Sequence, residues 1–96
     1  MAGRGADEAA EALALAALVW LAARPEDAGT FLAAAGADPA ALRARAAEPE
    51  FLGFVLDFLL ADEALLVAFC AETGRGFEAP LRARARLPGG EAPHWT

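Results

Sequence analysis

The chain has 96 residues, 57% of them apolar, with 14 acidic residues against 8 arginines and a net charge of −6. Twenty-eight residues are Ala; Lys, Ser, Tyr, Asn, Gln and Ile are missing, and there is one Cys (Cys70) and one His (His94). This inventory excludes an internal disulfide framework and withholds most of the nucleophiles, general bases and soft metal ligands that catalytic sites use.

The length suits one domain. Val is the only β-branched aliphatic and occurs three times, while Ala, Leu, Glu and Arg dominate and all favour helix. The expected fold is all-α, a compact bundle of five or six short helices around a central helical hairpin. Residues 1–6 are expected to be disordered, 7–87 to form the helical domain and 88–96 to be a C-terminal tail.

Asp7 offers a cap for a first helix running to about Ala23. Pro25 fits the first turn of a second helix, with Glu26 and Asp27 favourable to its dipole and Gly36 as its stop. Asp38-Pro39 repeats the cap-then-proline signal for a short third helix to about Ala47, and Glu48-Pro49 opens a fourth. Asp62 reads as a fresh cap for a fifth helix ending at Thr73-Gly74. Glu78-Ala79-Pro80 opens a sixth to about Leu87, and Pro88-Gly89-Gly90 ends regular structure. The longest uncharged stretch, Ala12 to Ala23, is 12 residues. A membrane span needs about 20, so no membrane association is expected and the protein is placed in the cytoplasm.

On a helical wheel, Phe51, Leu52, Phe54, Val55, Leu56, Phe58, Leu59 and Leu60 cover most of the fourth helix. Glu50, Gly53, Asp57 and Ala61 share the remaining stripe, which is expected to face solvent. Such a helix has to be contacted on several sides. Its expected hairpin partner is the fifth helix, through Leu66, Phe69 and Cys70; without a break at Ala61-Asp62 the two would run as one. The first helix is also apolar nearly all round, which leaves either an interface, as in a homodimer, or a tolerated mixed surface.

Few residues invite chemistry. Cys70 lies on an apolar face with no activating neighbour in the pattern and reads as a buried, inert thiol. His94 has one other soft ligand in the chain and reads as a solvated tail residue. The paired carboxylates sit at helix starts, where free backbone amides account for them. Asp57, inside an apolar run, reads as the solvated marker of the exposed stripe, the alternative being a partner in Arg43, Arg45 or another molecule. No cofactor and no metal is called for.

Charge is uneven. Residues 1–73 carry a net −8, whereas 74–90 carry +3 through Arg75, Arg82, Arg84, Arg86 and Glu78. The tail adds a second tryptophan, Trp95, that either folds back as a lid over the hairpin or anchors a partner.

Several segments together resemble a known family: Ala35-Gly36-Ala-Asp38-Pro39-Ala-Ala-Leu42-Arg43, Glu48-Pro49-Glu50-Phe51-Leu52, Val55 through Glu63, Leu87-Pro88-Gly89-Gly90 and His94-Trp95-Thr96. The chain resembles a domain-of-unknown-function family of short, cytoplasmic, all-helical alphaproteobacterial proteins. The resemblance implies the helical fold and at most a regulatory partner; it brings no activity and no catalytic residues.

The first expectation for function is therefore a non-enzymatic protein-interaction module, a small adaptor or regulatory subunit. Its partner is an unidentified protein or a second copy, and Leu81, Arg82, Arg86, His94 and Trp95 are the candidate contact residues. A nucleic-acid accessory protein using Arg75, Arg82, Arg84 and Arg86 is the second reading, disfavoured because the acidic body repels phosphates. A carboxylate- or metal-dependent enzyme is the third.

Overall fold

The computed structural model describes residues 2–88, which form six helices: α1 (Ala2–Ala22), α2 (Pro25–Ala35), α3 (Pro39–Arg45), α4 (Pro49–Leu60), α5 (Glu63–Thr73) and α6 (Glu78–Ala85). No strand occurs among the described residues, and the fold is all-α. No helix among them is long and apolar enough to cross a membrane.

Local chemistry sets most boundaries. Pro25, Pro39 and Pro49 each occupy the first turn of their helix, where a missing amide hydrogen costs nothing. Asp38 caps α3 by accepting from the Ala41 amide at 2.9 Å, and Asp62 caps α5 by accepting from Leu65 at 3.2 Å. Gly36 and Gly74 end α2 and α5 in the left-handed region, at φ 65° and 70°. Asp62 sits in extended backbone, so α4 and α5 are separate helices. The first helix departs from expectation. It begins at Ala2, so Asp7 lies within the helix and does not cap it; its carboxylate instead accepts from Arg86 Nε at 3.1 Å.

α4 lies in the middle. Phe51, Leu52, Val55, Leu56 and Leu59 are buried, and so is Gly53. α5 packs against α4 as the expected hairpin partner, with Leu65 rather than Leu66 in the buried set beside Phe69 and Cys70. The most extensive packing, however, is that of α1 on α4 and on α6. Ala10, Ala14 and Ala17 of α1 are buried with Leu18 and Leu21, and their small side chains let α1 approach closely. α2 contributes Phe31, whose ring meets Phe51 and Phe58 edge-on, with centroids 5.8 and 5.2 Å away, and lies tilted on Phe54 at 5.6 Å. A second aromatic contact ties α1 to α5. Trp20 meets Phe69 edge-on at 5.5 Å, donates from Nε1 to Glu72 Oε1 at 2.7 Å, and carries the Arg24 guanidinium 4.4 Å above its ring.

With so few large side chains, each buried aromatic carries a large share of the core. Phe31→Ala is expected to lower the unfolding free energy by about 3–5 kcal/mol in urea titrations. A loss below about 1 kcal/mol would show that the ring is not held in the core.

Candidate functional site

The stripe of α4 predicted to face water is partly covered. Gly53 is buried, and α6 lies over it. The cause is Arg84, whose side chain retains only 16% of its exposure. Its Nε donates to Asp57 Oδ1 at 2.6 Å and its Nη2 to Asp57 Oδ2 at 3.0 Å, the two-pronged geometry that guanidinium and carboxylate favour. Its Nη1 donates to the Pro88 carbonyl at 2.9 Å and points toward that of Leu87 at 3.5 Å. The guanidinium thus joins α4 to the end of α6 and satisfies carbonyls that the helix terminus leaves open.

Gly53 makes room for it. A Cβ at this position would stand 2.9 Å from Arg84 Nη1 and 3.1 Å from the Pro88 carbonyl oxygen. Asp57 is therefore neither a free solvated marker nor a partner of Arg43 or Arg45.

This anchor fixes the rotation of α6 and hence what its other residues do. Pro80, Ala83 and Leu87 turn inward. Arg82 and Arg86 turn toward α1, where a groove of about 520 Å³ opens between the two helices. Ala9, Ala10 and Leu13 line it from α1, and Ala79, Ala83 and Ala85 line it from α6. Arg86 is paired with Asp7, whereas Arg82 forms no hydrogen bond or ion pair with any described residue.

The residues expected to act together are thus divided. Arg82 and Arg86 share the groove. Leu81, 58% exposed, lies outside its lining and forms an exposed apolar pair with Phe77, 55% exposed, one helical turn earlier. His94 and Trp95 lie outside the described residues. Of the four arginines considered for nucleic acid, Arg84 is held by α4 and Arg75 stands 5.5 Å from the Phe69 ring centroid.

A family model described as a protein of unknown function, DUF3572, matches residues 7–90. The chain belongs to the DUF3572 family. Comparison with curated proteins and with solved structures gives no match. In this DUF3572 chain the matched segment contains the Gly53–Asp57–Arg84 anchor and the whole lining of the α1–α6 groove.

Cys70 is buried in α5, with its thiol directed to the Gly76 carbonyl oxygen at 3.7 Å. Burial pushes its pKa up; Arg75 opposes this and Glu78 adds to it. Among the described residues, no three His, Cys, Asp or Glu side chains converge as a metal site would require.

Two measurements follow from these contacts. Gly→Ala inside a helix ordinarily stabilises by about 0.5–1 kcal/mol. Gly29→Ala in α2, with open space at the Cβ position, is expected to show that gain. Gly53→Ala is expected to lose about 1 kcal/mol by displacing the guanidinium, and to lose less when Arg84 is already Ala, where only the Pro88 carbonyl still crowds the new Cβ. Equal gains at both glycines in urea unfolding would remove the anchor. For Cys70, raised pKa means less thiolate at a given pH and burial limits access, so alkylation at pH 8 should run slower in the folded than in the unfolded protein. Equal rates would mean an accessible, ordinary thiol.

Proposed function

We propose that this chain is a non-enzymatic protein-interaction module, a small adaptor or regulatory subunit of a bacterial cytoplasm. One observation carries the reading: an anchored α6 presents Arg82, without a partner among the described residues, beside an apolar groove, with Leu81 and Phe77 exposed on its other side. Apolar surface flanked by a polar rim is the general makeup of a docking face. The chain's spare polar groups do not favour chemistry as strongly. The carboxylates with neighbours are engaged in caps and in pairs with arginine, and the single cysteine is buried with its pKa raised.

A protein partner is favoured over nucleic acid by how the arginines are spent. Arg84 is nearly buried against Asp57, and Arg86 faces Asp7, so the basic segment offers no continuous cationic strip for a phosphate backbone. Self-association through the same surface is the alternative kind of partner. His94 and Trp95 remain contact residues of the proposal.

The test is capture of tagged full-length protein from nuclease-treated native lysate, run beside Leu81→Glu, Arg82→Glu and a form lacking residues 91–96. The expected result is a stoichiometric protein partner, or a dimer by light scattering, reduced at least about tenfold by the Arg82 or Leu81 change. Association that none of the three alters would sink the site assignment. Material lost on nuclease treatment, with salt-sensitive binding, would move the chain to the nucleic-acid class.

A further inference from the structure

We infer that the α1–α6 groove accepts a single amphipathic helix of a partner protein, one that carries acidic residues along the edge facing α6. This deepens the interaction-module reading and rests on it.

The walls decide the form of the occupant. Both are helices whose backbone groups are already bonded internally, so the groove offers no strand edge. An extended peptide would bury its own amides there without partners, whereas a helix brings them satisfied. The alanine floor, Ala9 and Ala10 against Ala79 and Ala83, is low enough for a third helix axis to approach within about 8–10 Å. α6 has eight residues, so at 1.5 Å per residue the contact is about 12 Å long, roughly two turns.

Charge decides the chemistry and the orientation. Residues 1–73 carry a net −8, so a basic helix is attracted to many places on this body and an acidic one is repelled from most of them. The α6 edge is the exception. Arg82 stands at the groove with no partner among the described residues, and Arg86 follows one turn later, facing Asp7. From α1 the groove is lined by Ala9, Ala10 and Leu13, which carry no charge. The charge at the groove lies on the α6 side, so an acidic helix edge is drawn to α6 and meets no lining charge on α1, which fixes how the occupant lies.

Two synthetic helices of about four turns test this, each with Leu at i, i+3, i+4 and i+7. One has Glu along a single edge and the other has Lys at the same positions. On the intact chain, fluorescence anisotropy is expected to show saturable binding of the Glu helix, at least about tenfold tighter than the Lys twin. Arg82→Glu should reverse that preference. Ala9→Phe, at an exposed position of α1 whose folding is checked by circular dichroism, should abolish binding of the Glu helix. Equal or tighter binding of the Lys twin overturns the inference, as does absence of binding by either helix. So does binding that survives Ala9→Phe. Failure here is separable from failure of the wider reading. If the captured partner or dimer is unaffected by Ala9→Phe but lost with Leu81→Glu, the chain is an interaction module whose contact lies on another face.

Discussion

A twelve-residue helix with apolar side chains over most of its circumference has to be covered from nearly every direction, and no single neighbour can do this. α4 is that helix, and the other elements are arranged by its requirement. α1 lies along it through alanines and leucines, α5 folds back as its hairpin partner, and α2 lends the Phe31 ring to three of its phenylalanines. One gap then remains, at the narrow stripe of Gly53 and Asp57. A hydrophobic side chain over this stripe would bury the Asp57 carboxylate without a partner, at considerable cost. Arg84 resolves the conflict, because its guanidinium covers the glycine, pairs with the carboxylate and bonds the end of α6 at once.

That solution has a consequence for the surface. α6 is short, only weakly amphipathic and rich in arginine, a poor candidate for docking by its apolar content alone. Held by Arg84, it no longer needs Arg82 or Leu81 for its own attachment, and both are left to face outward. The pairing is half exposed on the Asp57 side, so its worth in free energy is modest. Its larger effect is on geometry, since rotating α6 by one residue would exchange the buried and groove-facing sets.

The helices were legible because their ends carry strong local signals. Proline, aspartate and glycine act within three or four residues, so Asp38, Asp62, Gly36 and Gly74 could be assigned from neighbours alone. The start of α1 was not, since Asp7 resembles a cap but its partner, Arg86, is 79 positions away. The same distance problem hid the covered stripe. Periodicity correctly set Gly53 and Asp57 on one line, yet it could not tell an exposed glycine from one kept small for a guanidinium 31 positions later. A glycine one turn before an acid, inside an otherwise apolar helix, was the available signal. For the groove no local signal exists, because alanine is equally common in cores, on surfaces and at close helix contacts.

Alanine also explains why a groove persists at all. Side chains that end at Cβ let α1 approach α4 and α6 closely, but they do not fill the groove left between α1 and α6. Leucine at Ala9 or Ala79 would close that space from within the chain, since neither position is fully buried. Filling it internally would also screen Arg82 from the apolar floor and strand the cation at an ordinary surface. The proposed docking face combines a floor too low to fill the space with Arg82 beside it, which has no partner among the described residues. A single amphipathic helix with an acidic edge meets the two together, whereas additional salt or water would satisfy the charge and leave the apolar floor exposed.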